Sequence, residues 1–150
     1  MEVMKSIYIG GTTSREKWDW STLFKIGLKG HFCVDGEVLT KEILDKGPWT
    51  FEDHTLRNTL KSTADYELYV ITPESTGLMT VAEVIDAAHR RKDRCIFLPI
   101  KSVSGPDFSI TMTPNLMRST LALETFVSSM GGRVFVQPKD VLSFLNSDIS

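Results

Sequence analysis

Tyr66-Glu67-Leu68-Tyr69-Val70-Ile71-Thr72-Pro73-Glu74-Ser75-Thr76-Gly77-Leu78-Met79-Thr80-Val81-Ala82-Glu83 begins as a nearly unbroken apolar run. It passes through a Pro- and Gly-containing loop and enters an amphipathic segment with one carboxylate at its start. A run of β-branched and aromatic residues without alternation is the pattern of a strand covered on both faces, as in a parallel sheet. Strand, loop and helix in that order form the repeating unit of an open α/β sheet, where ligands bind at the carboxyl ends of the strands.

Outward from this stretch, four more apolar runs read as strands: Ser6–Ile9, His31–Val34, Cys95–Ile100 and Arg133–Val136. Each gap between them is long enough for a crossover helix. Thr113-Pro114 supplies an N-cap and a proline at the first helical position, predicting a helix to about Met130 that ends at Gly131-Gly132. Pro138 opens a last helix, Lys139 to about Asn146, in the same way. Thr50 precedes a helix to about Ala64, with Leu56 and Leu60 on its buried side. From Thr80 to Arg91, Val81, Val84, Ile85 and Ala88 form one apolar stripe facing the sheet. A helix from Trp18 to about Leu28 carries weaker signals, and Asp35–Trp49 reads as a long connection with a short helix at Lys41–Leu44. Strands alternating with helices predict a doubly wound α/β fold with right-handed crossovers and helices on both faces. Five parallel strands fit the flavodoxin-like order 2-1-3-4-5 in a single domain over residues 1–150. Its switch point lies between the first and third strands, so the pocket is expected between the loops after Ile9 and Ile71.

Composition narrows the classes of function. The chain has 150 residues, 41% hydrophobic and 24% charged, which argues for a folded domain with a substantial core. A net charge of -2 makes no electrostatic case for a nucleic-acid polymer but leaves a single nucleotide or nucleoside open. Met1-Glu2-Val3-Met4-Lys5 lacks the features of a signal peptide, and no apolar stretch is long enough to span a bilayer. Cys33 and Cys95 each sit in a strand-like run and read as buried reduced thiols, suiting a cytoplasmic protein. His31, His54 and His89 show no metal-ligand spacing.

Glu83 supports two readings. Thr80-Val81-Ala82-Glu83 is a capping box, and Glu83 lies off the apolar stripe; from the residues alone a solvated cap is favoured. Location gives the other reading: the first turn of this helix faces the cleft at the switch point, where the positive helix end favours an ionised carboxylate able to act as a nucleophile. Ala82 and Ala87 leave space beside it. Tyr8 is either a core tyrosine or a phenol placed to orient that carboxylate. Gly10-Gly11-Thr12-Thr13 is either a tight turn or a backbone surface open to a ligand. Trp18, Trp20 and Trp49 are candidates to stack on a base, and Arg15 and Lys17 to meet a phosphate; ordinary packing and solvation are the competing accounts. No Ser-His-Asp or Cys-His arrangement is supported.

Ser6-Ile7-Tyr8-Ile9-Gly10-Gly11-Thr12, Leu60-Lys61-Ser62-Thr63-Ala64-Asp65, Val70-Ile71-Thr72-Pro73-Glu74 and Gly77-Leu78-Met79-Thr80-Val81-Ala82-Glu83-Val84, in this order and spacing, resemble the nucleoside 2-deoxyribosyltransferase family and its deoxynucleotide N-hydrolase relatives. The resemblance covers most of Ser6 to Ile100. It implies cleavage of an N-glycosidic bond, with Glu83 attacking the anomeric carbon to form a covalent deoxyribosyl-enzyme and Tyr8 orienting it. It implies no metal or organic cofactor, and an oligomer whose neighbouring chains complete each pocket. Gly10, Gly11 and Thr12 would line the sugar or phosphate pocket, with Trp18, Glu74, Gly77 and Met79 also at the substrate. The family commonly has an aspartate eight residues before the Ala-Asp entering the third strand; here that position is Arg57. Asp53, one turn earlier, is the candidate replacement acid or base, with Arg57 reaching a phosphate or pairing with it. The family's loop aspartate has no clear match, Glu74 being the nearest acid.

The expected activity is therefore a nucleoside deoxyribosyltransferase or deoxynucleotide N-glycosidase. A nucleotide-binding or regulatory module on the same fold is the alternative, favoured by Arg57 where an acid is expected. A structural subunit of a larger assembly is a third.

Overall fold

The computed structural model describes residues 4–11, 19–28, 31–74 and 77–147. Five parallel strands form the central sheet: β1 (Ser6–Gly11), β2 (Phe32–Asp35), β3 (Tyr66–Ile71), β4 (Cys95–Pro99) and β7 (Arg133–Val134), in the order β2-β1-β3-β4-β7. The order departs from the expected numbering at its far edge. An antiparallel hairpin, β5 (Ser102–Gly105) and β6 (Phe108–Thr111), follows β4, so the last sheet strand is the seventh in the chain. That edge strand is also only two residues long, shorter than the expected Arg133–Val136.

Among the described residues the six α-helices are α1 (Trp20–Gly27), α2 (Gly36–Lys46), α3 (Phe51–Thr63), α4 (Leu78–Arg90), α5 (Pro114–Ser129) and α6 (Pro138–Ser147). Alternate residues of the strands feed two cores. Ile7, Ile9, Leu68, Val70, Ile96 and Leu98 pack against α1 and α6 through Trp20, Phe24, Val141 and Leu145. Tyr8, Tyr69, Ile71 and Phe97 pack on the other face against Val84, Ala87 and Ala88 of α4 and Leu123 and Val127 of α5. Every residue of β3 is buried, which is why its apolar run does not alternate.

Caps set most helix starts. Thr113 accepts from the Leu116 amide at 3.3 Å ahead of Pro114, as expected. Asp19 caps α1 by accepting from the Ser21 amide at 3.0 Å, so this helix begins at Trp20. Trp18 lies outside the described residues. The connection 35–49 is not mostly loop. Asp35 closes β2 and immediately caps an eleven-residue α2, accepting from Glu37 and Val38 amides. Thr50 and Asp53 form a reciprocal capping box at the start of α3. Leu56, expected on the buried side of that helix, is 46% exposed.

The largest correction concerns α4. Its N-cap is Gly77, in the left-handed region at φ 57°, a backbone state open to glycine without a Cβ penalty. The helix thus starts two residues before Thr80, and Thr80 lies within its first turn. The buried side is Thr80, Glu83, Val84, Ala87 and Ala88, a 3-4 stripe rotated one position from the apolar one. Glu83 does not cap this helix; it is 4% exposed and lies at the centre of the buried face.

Candidate active site

The carboxyl ends of β1 and β3 lie side by side, with Gly10 opposite Tyr69 and Gly11 opposite Val70. Both glycines are required by close packing. A Cβ at Gly10 would sit 2.8 Å from the Tyr69 ring, and one at Gly11 would collide with Trp20 and approach the Val70 carbonyl oxygen to 2.7 Å. Their presence lets the backbone form the floor of a hollow, closed on the sides by α2, α3 and α4.

Glu83 projects from α4 into this region and meets two cations from α3. Arg57 Nη2 donates to Glu83 Oε1 at 2.7 Å, and Lys61 Nζ donates to Oε2 at 3.4 Å. The Arg57 and Lys61 side chains are 15% and 8% exposed, so these contacts are screened little by solvent. Arg57 Nη1 also donates to Thr40 Oγ1 at 2.8 Å, and Thr40 in turn donates to the Gly36 carbonyl at 2.7 Å. Thr40, Arg57 and Glu83 therefore tie α2, α3 and α4 together across the cleft.

Two cavities share this ion pair as a common wall. The first, of about 380 Å³, is lined by Gly10, Gly11 and Gly77 together with Glu37, Arg57 and Glu83. The second, of about 530 Å³, lies toward the outer side and includes Leu44, Trp49, Lys61, Met79 and Ala82 along with Arg57 and Glu83. Met79 borders both.

Tyr8 is fully buried beneath the site, and its hydroxyl abuts Gly36 so closely that a Cβ there would collide with it. Burial, reinforced by the negative charges of Glu83 and Glu67 and opposed by Arg57, pushes its ionisation well above the usual phenol range. The group is a neutral hydroxyl. The expected hydrogen bond from it to Glu83 is not formed; the polar group that acts on the hydroxyl directly is the Arg57 guanidinium. Burial works to lower the Arg57 pKa, but Tyr8 and Glu83 outweigh it, so the guanidinium stays charged.

Of the residues expected at the site, Glu83, Arg57, Gly10, Gly11, Gly77 and Met79 come together around these cavities. Asp53 does not join them. Its carboxylate is committed to the Thr50 amide at 2.9 Å, and it borders a separate surface hollow with Leu39, Ile43 and Leu56. One helical turn from Arg57 was not enough to bring it to Glu83, because the capping box draws it back toward the helix start. Glu74, half-buried after β3, does not border either cavity. Thr12 and Trp18, with Arg15 and Lys17, fall outside the described residues. Trp20 is a core residue, edge-on to Phe24 at 6.2 Å, whereas Trp49 borders the second cavity. Of the two thiols, Cys95 is buried and Cys33 half-buried, and neither is in a disulfide.

Lys61, Thr40 and Glu67 were not singled out from sequence. Arg57 and Lys61 stand four residues apart on one helix, a spacing that puts two cations on one side. Glu67 interrupts the apolar run of β3. Fully buried, it accepts from the Tyr69 hydroxyl at 2.7 Å and faces Arg90 at 3.5 Å and Arg91 at 3.8 Å. That network steadies the Tyr69 ring under Gly10.

Among the described residues no three His, Cys, Asp or Glu side chains gather to hold a metal ion, and no helix is long and apolar enough to cross a membrane. Compared with known protein families and with curated proteins, the sequence matches none.

Proposed function

We propose that this chain cleaves or transfers an N-glycosidic bond of a nucleoside or deoxynucleotide, with Glu83 as the nucleophile. The observation that carries the reading is a buried carboxylate in the wall between two cavities, at the carboxyl ends of β1 and β3. Two cations pair with that carboxylate, whose oxygen is the attacking atom. One Glu83 oxygen bonds to the anomeric carbon as the carbon–nitrogen bond breaks, its electron pair leaving with the base. Water or the nitrogen of a second base then attacks the same carbon, restores the carboxylate and gives up a proton to solvent. Such a double displacement retains configuration. Arg57 is close enough to Glu83 to offset negative charge developing on the departing base, whereas the Asp53 carboxylate is committed to Thr50 at the start of α3. The resemblance supports a flavodoxin-like assignment of the sheet, a cytoplasmic setting, independence of metal or organic cofactors, and a homo-oligomer that completes the pocket.

A second reading has its own support. Both Glu83 oxygens are engaged by cations, as in a site built to bind rather than to react. The experiment that separates the two incubates the protein with deoxynucleosides and deoxynucleotides, with and without a second free base, and follows base release by chromatography. In parallel, a 2-deoxy-2-fluoro nucleoside, whose fluorine slows breakdown of a glycosyl-enzyme, is used to trap the intermediate. The enzyme reading requires base release and a peptide adduct on Glu83. Saturable nucleotide binding with neither would establish the binding module instead.

A further inference from the structure

The two cavities differ in charge although they share a wall. Among the described residues, the first sets the carboxylates of Glu37 and Glu83 against Arg57. The second sets Arg57 and Lys61 against Glu83 alone, because its other acid, Asp86, is paired with Arg90 at 2.8 Å. On the side of the second cavity one carboxylate thus serves two cations, the half-buried Arg57 and the buried Lys61, so positive charge is in excess there. A second observation points the same way. Arg57 spends its two terminal nitrogens on Glu83 and Thr40, and its other neighbour, Tyr8, is a neutral hydroxyl that brings no negative charge. Leu44, Trp49, Met79 and Ala82 give the cavity an apolar side, one of them a large aromatic face, opposite the polar Thr40, His54 and Asn58.

We propose that the second cavity takes a flat aromatic ring bearing a negative charge, with the ring against Trp49 and Met79 and the charge on Arg57 and Lys61. On the glycosidic reading this ring is the base, and the substrate class narrows to nucleosides of acidic heterocycles; the site itself requires no catalysis. Glu83 then competes with the ligand for the same two cations. That gives the proposal a sign that ordinary structural roles do not share: neutralising Glu83 strengthens binding.

Calorimetric titration with three probes tests it. Orotate carries ring and charge, uracil the ring alone, and inorganic phosphate the charge alone. The wild type is expected to bind orotate at least about tenfold more tightly than either of the others. Arg57→Gln abolishes that preference, Lys61→Gln weakens it, and Glu83→Gln tightens orotate binding by about tenfold or more, each variant first being shown folded by circular dichroism. Uracil binding as well as orotate, phosphate matching orotate, an unchanged preference in the folded Lys61→Gln variant, or orotate affinity unchanged in Glu83→Gln would each overturn it. Orotate preference without any base release would leave this inference standing and sink the glycosidase; base release without orotate preference would do the reverse.

Discussion

Replacing Glu83 by Gln removes one negative charge and leaves the two cations facing each other. At 2.7 and 3.4 Å, with an effective dielectric of about 20, the gross attractions of Arg57 and Lys61 to Glu83 come to about 6 and about 5 kcal/mol. Desolvation of the three groups cancels most of this, and removing one partner of a buried pair costs about 3–5 kcal/mol net. Gln retains an acceptor oxygen, and Arg57 borders two cavities into which it can relax. We therefore expect a loss of about 3 kcal/mol in urea unfolding at neutral pH, with an unchanged slope. Had Glu83 been the solvated cap that its sequence context favours, the loss would be about 1 kcal/mol. The decisive comparison is Lys61→Met, which preserves the buried stem. In the wild-type background it costs about 1 kcal/mol, because Glu83 loses a partner. In the Glu83→Gln background it is neutral or stabilising, because it removes a repelling charge. Equal costs of Lys61→Met in both backgrounds, or a Glu83→Gln protein as stable as wild type, would refute the charge arrangement.

Tyr8→Phe is expected to change stability by no more than about 1 kcal/mol, since Arg57, the cation beside the hydroxyl, is already bonded to Glu83 and Thr40; a larger loss in thermal unfolding would mean that the hydroxyl is what positions Arg57. Asp53→Asn weakens the cap of α3 and lowers stability by about 1 kcal/mol without altering orotate binding, whereas a change in binding would return Asp53 to the site. Alkaline pH destabilises the fold. Burial, chiefly, pushes the Cys95 thiol from 9.0 up to about 12 and the Tyr8 and Tyr69 phenols above their ordinary 10.0. Above these ordinary values the unfolded chain has lost protons that the folded chain still holds, so stability falls as pH rises, by up to about 1.4 kcal/mol per pH unit for each group. For Cys95 the fall begins near 9.0 and levels off at about 12. Urea midpoints that stay constant from about pH 8 to about pH 11 would contradict it.

The parts of the fold that depend on short-range rules were legible without coordinates. The largely apolar run of β3, the Thr113-Pro114 start of α5 and the Thr50 start of α3 each act within a few residues, and each lies where expected. The β5–β6 hairpin was not, because its short strands carry polar and apolar residues without a long apolar core. Asp35 capping α2 was missed for a different reason: one residue ends a strand and starts a helix, so no loop separates them.

Glu83 marks the boundary between the two kinds of information. Helical periodicity allows a buried stripe through Val81, Val84, Ile85 and Ala88, or one through Thr80, Glu83, Val84, Ala87 and Ala88. The two share Val84 and Ala88, and apolar content alone favours the first. Sequence alone determined the alternation of strands and helices and placed Glu83 near the sheet's carboxyl edge. Only the tertiary structure rotated that helix so that the acid is buried, because the cations that make burial tolerable come from α3, 22 and 26 residues earlier in the chain. A charge goes into a protein interior only with its partners, and which distant residues are those partners is settled by packing.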